Sequence, residues 1–260
     1  MKKLLFQFTI LAVVFAGAWY ALSQLPWSKW LHASSFNKKR QEKLGELFIK
    51  THRLDKKEIT NDSIVSIINS LKNNICRANH IDTGSIKVYV FRDEQVNAFA
   101  MPGGSIVVNS ALISFCDGPD MLAGVIAHEI GHIQNGHISK RMAKEVGLSI
   151  LMMFGGDNMG LLKELLRSVT SGKFDRSQES EADQSAVYYL DKTNIDPAPL
   201  ADFFEKMGKT YGNMPGMLEW VSTHPNAKER TSMVRKLAKK KTYHPALPVS
   251  EWAYLHGYSY

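Results

Sequence analysis

A chain of 260 residues with 44% hydrophobic and 22% charged side chains carries enough apolar surface to close a core, which excludes disorder as its main state. The length allows one folded domain plus a short extra segment, since single cores stop growing beyond roughly 250–300 residues. The formal charge of +7 raises nucleic acid or an anionic membrane as a partner, but the basic clusters Lys38-Lys39-Arg40 and Lys236 with Lys239-Lys240-Lys241 lie outside the apolar segments and read as solvated faces, so no nucleic-acid partner is expected.

Lys2 and Lys3 precede a run from Leu4 to Leu25 whose clearly polar interruptions are Gln7, Thr9, Ser23 and Gln24. Roughly 22 such residues rise about 33 Å as a helix, enough for a hydrocarbon core of about 30 Å and longer than a secretory h-region. Residues 1–30 are therefore expected to be a membrane anchor, with Trp19, Tyr20, Trp27 and Trp30 at headgroup level and Pro26 as the stop. A signal peptide cut after Ser23, with release to the periplasm, is the alternative. The folded domain, residues 31–260, is expected on the periplasmic, extracytoplasmic side. Lys29, Lys38, Lys39, Arg40 and Lys43 argue the opposite topology by simple count, but long domains translocate largely regardless of charge.

Residues 36 to 53 show irregular helical spacing. Asn61 or Asp62 can cap a second helix carrying Ile64, Ile67, Ile68, Leu71 and Ile75. Alternating Ile86, Val88 and Val90 read as a strand, and Ala98 to Met101 and Ile106 to Asn109 flank Pro102-Gly103-Gly104 as a hairpin. From Met121 the pattern is helical almost to the end, with breaks at Gly155-Gly156, Gly172, Pro197 and Pro199, and Pro215-Gly216. The expected fold is α+β and mostly helical, with a small sheet beside a central helix. The two cysteines, Cys76 and Cys116, allow one disulfide or two buried thiols, and are too few for a cysteine-built zinc site.

Within the apolar helix beginning near Asp120 stands His128-Glu129-Ile130-Gly131-His132, the H-E-x-x-H pattern of zinc proteases. Residues i and i+4 share a helical face, so His128 and His132 can reach one ion, and Glu129 can act as general base toward a bound water. Val125, Ile126, Ala127, Ile130 and Ile133 surround these groups, and buried titratable groups are costly without a metal or partner. A catalytic zinc takes a third protein ligand. His137 lies about 140° further round the helix and is assigned to capping or the surface. The third-histidine extension of the motif would need Gly at position 135 and His at 138, where Asn135 and Ile138 stand. Glu179 and Asp183, at i and i+4 before an apolar stretch, suit better: Glu179 as the ligand, Asp183 as acceptor of a ligand histidine's distal N–H. Glu181 is turned about 200° from Glu179 and is expected to face elsewhere. Acidic residues at a helix N-terminus are also favoured by the macrodipole alone.

Together, Asn97-Ala98-Phe99-Ala100-Met101-Pro102-Gly103-Gly104, the H-E-x-x-H run, Arg176 with Glu179-Ser180-Glu181-Ala182-Asp183, and His224-Pro225 with Arg230 resemble the HtpX-like and prenyl-protein (CAAX) protease family of membrane-associated zinc metallopeptidases, which are gluzincins. The resemblance spans roughly residues 60 to 235. It implies a zincin-like metallopeptidase domain, one zinc ion per chain, and Glu179 as third ligand. It also implies substrate pairing along the strand edge Ala98, Phe99, Ala100, Met101, although an ordinary core hairpin fits the same letters. By the same resemblance His224 donates to the oxyanion of the tetrahedral intermediate or folds in as an inhibitory extra ligand, and Arg230 contacts the site or pairs with an acidic group. The chain departs from multi-span members in having its one long apolar span at the N-terminus, and no helical-repeat domain follows residue 235. It is thus most similar to the short exported branch linked to envelope quality control. Met142 to Leu162 is a lid, a membrane-facing segment or plain core.

The expected activity is endoproteolysis of misfolded or unassembled envelope proteins, with protein or peptide substrates and the membrane as partners. The oligomeric state is unknown from sequence. The rival is a zinc-stabilised chaperone or assembly factor, disfavoured because a structural site needs no base beside the metal.

Overall fold

The computed structural model describes residues 38–146, 172–210 and 218–258. The anchor expected over residues 1–30 and most of the apolar stretch 142–162 lie outside these. No helix among the described residues is long and apolar enough to cross a membrane.

Helix α1 (Lys38–Asp55) leads through the two-residue strand β1 (Lys57–Glu58) to α2 (Asp62–Ala78). Asn61 caps α2, its side chain accepting from the N–H groups of Ser63 and Ile64 and so satisfying two donors that the first turn leaves open. The isoleucines and Leu71 picked out by spacing are all buried, each contributing about 1.5–3 kcal/mol relative to exposure. Strands β2 (Lys87–Arg92), β3 (Ala98–Met101) and β4 (Ser105–Asn109) follow, then the short helix α3 (Ser110–Phe115).

The sheet order is β1-β2-β4-β3. β2 runs parallel to β4 with Val90 opposite Val108, and β3 runs antiparallel to β4 with Ala100 opposite Ile106. The expected hairpin is present, and its first strand is the edge of the sheet. The alternative reading, core filling, fits the buried Ala98, Ala100 and Met101, while β3 pairs with a strand on one side only.

Helix α4 (Pro119–Gln134) is buried from Met121 to His132, as expected of a helix apolar around its circumference. It packs on β3, on α2 and most intimately on α6 (Arg176–Thr193). Gly131 sets that approach: a Cβ there would lie 2.9 Å from the Ala182 carbonyl oxygen, nearer than van der Waals contact allows. Helix α5 (His137–Val146) follows α4 directly, and α7 (Ala198–Thr210), α8 (Leu218–Thr223), α9 (Ala227–Leu237) and α10 (Val249–Tyr258) complete the order.

Two acidic groups fasten the C-terminal stretch. Asp120 accepts the Ala246 N–H at 2.6 Å, and Asp191 meets Lys239, Lys241 and the Tyr243 hydroxyl. Cys76 and Cys116 are free and buried, which resolves the two sequence alternatives in favour of thiols.

Candidate metal centre

Helix α4 brings His128, Glu129 and His132 to one level, all fully buried. The N-terminus of α6 faces them. Asp175 and Gln178 form a capping box there, which fixes where the helix begins and so which turn carries Glu179. Glu179 stands in that first turn, where its negative charge meets the positive helix end. One turn on, Asp183 lies on the same face. His224 arrives at the end of α8, and Arg230 from α9.

His128, His132, Glu179 and His224 each offer one donor atom, and these atoms lie within 4.8 Å of one another. His128 Nε2 is 3.0 Å from His132 Nε2. His224 Nδ1 is 2.9 Å from Glu179 Oε1 and 3.4 Å from His128 Nε2. Asp183 Oδ1 is 2.8 Å from His128 Nδ1. An ionised carboxylate only accepts, so His128 carries its proton on Nδ1 and turns the lone pair of Nε2 inward. Nitrogen and carboxylate donors crowded around one point, with a lone pair fixed toward it, match the ligand chemistry of zinc.

Arg230 holds the anionic side. It forks onto Asp183 through Nε and Nη2, both at 2.7 Å. Its Nη1 lies 2.7 Å from Glu179 Oε2, an ion pair without hydrogen-bond alignment. Burial pushes Glu179 and Asp183 toward protonation, but Arg230 and the neighbouring histidines outweigh it. Glu179 is thereby held well below the usual carboxylate range, and Asp183 below it too. Burial, then the neighbouring His128, keeps His132 well below the ordinary histidine value and hence neutral.

Glu129 sits differently. Its Oε2 accepts the Ala100 N–H of edge strand β3 at 2.8 Å, and its Oε1 is 3.8 Å from His224 Nε2. Among the described residues no hydrogen bond reaches Oε1. Burial raises the Glu129 pKa, opposed by His224 and His128. A carboxylate placed beside a donor cluster with one oxygen free is equipped to take a proton.

Every residue expected at the site is thus within this assembly: His128, His132, Glu179 and His224 as donors, Glu129 between them and the strand Ala98–Met101, and Asp183 and Arg230 behind them. Arg230 pairs with acidic groups and also touches the site, so both sequence alternatives hold. Sequence reading missed the aromatic walls. Phe174 stacks on His132 with ring centroids 3.8 Å apart, the Arg141 guanidinium lies 3.4 Å over Phe174, and Trp220 stacks under His224. None follows from helical spacing, because each comes from a different segment.

The assignment of His137 to a cap or the surface is corrected. It is buried, with Nδ1 2.9 Å from His132 Nδ1 and Nε2 3.1 Å from Glu181 Oε2. One continuous helix would carry His137 away from His132, but α4 stops at Gln134 and Gly136, at φ 68°, turns the chain before α5 begins at His137. Glu181 does face away from the donor cluster, as expected. A surface cavity of about 580 Å³ between α7 and α9 holds none of the donors, whereas one of about 150 Å³ reaches Glu179 and Arg230.

Comparison with known proteins gives a match to peptidase family M48 over residues 59–238. The β-barrel assembly-enhancing protease of Yersinia pestis is 27% identical over 226 residues, covering 81% of this chain and 46% of that protein. The mitochondrial metalloendopeptidase OMA1 of Schizosaccharomyces pombe is 30% identical over 155 residues, 58% of this chain and 45% of that protein. Metalloprotease LoiP of Escherichia coli is 33% identical over 181 residues, 66% of this chain and 68% of that protein. The chain spans about half the length of the first two of these relatives.

Proposed function

The chain belongs to peptidase family M48, whose members are zinc metallopeptidases, and on that premise we propose that it is an endopeptidase hydrolysing misfolded or unassembled proteins of the cell envelope. One observation carries the reading: Glu129 is clamped to the edge strand through Oε2 at 2.8 Å, while among the described residues no hydrogen bond reaches Oε1, beside four buried donors. A zinc ion that merely staples a fold needs no such carboxylate.

His128, His132 and Glu179 would hold the zinc, with Asp183 fixing the tautomer of His128. When bound, zinc supplies a Lewis acid for the scissile carbonyl and acidifies a water. Glu129 would then receive the proton of the attacking water and return it to the leaving amine, a task that suits a buried carboxyl whose pKa burial raises. The edge strand supplies the substrate register. The Ala100 N–H points out of the sheet toward Glu129, so strand alternation turns the backbone groups of Ala98 and the Ala100 carbonyl outward with it. These can pair with an extended peptide through main-chain bonds, tolerant of sequence as unfolded substrates require. His224 is the fourth donor of the cluster and would either donate to the oxyanion or, folded onto the zinc as an extra ligand, inhibit by excluding the water.

Relatives bearing the names β-barrel assembly-enhancing protease and mitochondrial metalloendopeptidase support a protein substrate and, for the first, an envelope setting. Residues 1–30 would anchor the chain in the cytoplasmic membrane, with residues 31–260 as the peptidase domain on the periplasmic side.

The test is casein hydrolysis by the full chain and its Glu129→Gln variant, with zinc content measured in both. Cleavage by the parent alone at equal zinc supports the reading, whereas equal cleavage by both removes Glu129 as base. Equal zinc with no cleavage by either, persisting in His224→Ala, supports a chaperone or assembly factor instead. A gain of cleavage in His224→Ala identifies His224 as the closing ligand, and a loss identifies it as the oxyanion donor.

A further inference from the structure

Two histidines of the donor cluster face each other through Nε2 at 3.0 Å. For both to present lone pairs, each must carry its proton on Nδ1. Asp183 ensures this for His128. Among the described residues no carboxylate touches His132 Nδ1; it faces another ring nitrogen, His137 Nδ1, at 2.9 Å. Which nitrogen donates across that contact is decided further out. His137 Nε2 lies 3.1 Å from Glu181 Oε2, and a carboxylate can only accept. A neutral His137 then has its proton on Nε2 and its lone pair on Nδ1, and the contact is filled only if His132 Nδ1–H donates to it.

We propose that His137 and Glu181 are positioning residues that set the tautomer and ring orientation of the metal-binding histidine His132, with His137 acting as an acceptor and not as a ligand. The inference rests on the reading of His132 as a zinc ligand. His137 is buried while Glu181 keeps a side chain 53% exposed, so the relay runs from the surface to the cluster through one ring. The Phe174 ring, stacked on His132 at an interplanar angle of 22°, limits the plane of His132, while the hydrogen bond selects its rotation within that plane.

The two ligand histidines are therefore oriented by different devices. Asp183 serves His128 directly, and the carboxylate of Glu181 serves His132 through a second imidazole. A carboxylate placed directly at His132 Nδ1 would bury a further charge beside Glu179, which is costly.

The experiment measures zinc affinity by chelator competition, and the His132 tautomer by long-range nitrogen–proton correlation spectra of the zinc-free full chain. Four variants are compared: His137→Ala, His137→Asn, Glu181→Ala and Glu181→Gln. Loss of the acceptor in His137→Ala is expected to weaken zinc binding about 10–100-fold, and the zinc-free His132 signal should leave the pure Nδ1–H pattern. His137→Asn keeps a carbonyl oxygen near the Nδ1 position and should recover most of that loss. Glu181 is half in solvent, so Glu181→Ala keeps the fold intact and tests the relay even if His137→Ala does not fold; it should mix the tautomers, and Glu181→Gln, which still accepts, should restore them. Affinity within twofold of the parent and an unchanged His132 tautomer in folded His137→Ala or Glu181→Ala would overturn the proposal. If the parent itself binds no zinc, the metal-site reading falls, and the tautomer spectra still decide the roles of His137 and Glu181.

Discussion

Replacing Gly131 by Ala tests whether the close approach of α4 and α6 sets the metal geometry. Two terms of opposite sign meet at this position. Ala is favoured over Gly in a helix interior by about 1 kcal/mol. Against that, the new methyl would sit 2.9 Å from the Ala182 carbonyl oxygen, 3.1 Å from its Cα and 3.2 Å from Ser185 Cβ. Two of the three are atoms of the Ala182 backbone, so no side-chain rotation relieves them, and overpacking of this kind costs about 1–3 kcal/mol. The net loss is about 1 kcal/mol, a fall of about 2–4 °C in the melting temperature of the zinc-free protein. The larger effect falls on the site. Restoring ordinary contact moves α6 by about 0.5 Å, whereas metal–ligand distances tolerate only about 0.2 Å. Glu179 lies on the same helix one turn before Ala182, so zinc affinity should drop at least tenfold while stability changes little. Thermal unfolding with chelator and a zinc competition titration measure the two quantities. A variant that melts higher than the parent and binds zinc as tightly would show that helix propensity wins and that the approach is not set by Gly131.

Asp183→Asn keeps the shape but removes the charge that Arg230 and His128 share. Its expected cost is about 3 kcal/mol, the low end for a broken buried pair because Glu179 still faces the guanidinium, read by urea unfolding of zinc-free protein; equal midpoints would mean that Arg230 needs only Glu179. Asp191 is held at about 2 by hydrogen bonds from Lys239 and Lys241, so its folded pKa is depressed. The stability it gives is present above its unfolded pKa of about 3.9 and is lost as pH falls through about 2. Lys239 lies largely in solvent, so the contribution is discounted to about 1 kcal/mol or less. The stability gap between parent and Asp191→Asn should be open at pH 6 and close between about pH 4 and pH 2; a gap independent of pH would refute the ionic origin.

The parts of the site that sequence made legible are those governed by one helix's periodicity. His128 and His132 share a face because α4 runs unbroken from Pro119 to Gln134, and Glu179 and Asp183 share one because α6 is capped just before them. Legibility ends where the chain turns. Gly136 resets the rotation between α4 and α5, so His137 returns to His132 although a continuous helix would carry it away. Phe174 reaches His132 from outside any helix, and Trp220 comes from α8, some ninety residues beyond the motif. Strand β1 has two residues, too few for alternation to register.

The charge of the cluster is a property that no single segment carries. Three buried carboxylates, Glu129, Glu179 and Asp183, converge with one buried guanidinium, Arg230, among histidines of which His132 is held neutral. With all three carboxylates ionised, Arg230 shares its one charge between Glu179 and Asp183 and leaves Glu129 without a guanidinium partner among the described residues. A bound dication would offset negative charge here. Without one, the raised pKa of Glu129 is the available outlet, because Arg230 holds Glu179 and Asp183 ionised while Glu129 has only an N–H donor and nearby imidazoles. The same arrangement that makes Glu129 the most readily protonated of the three when the metal is absent therefore makes it the proton acceptor when the metal is present.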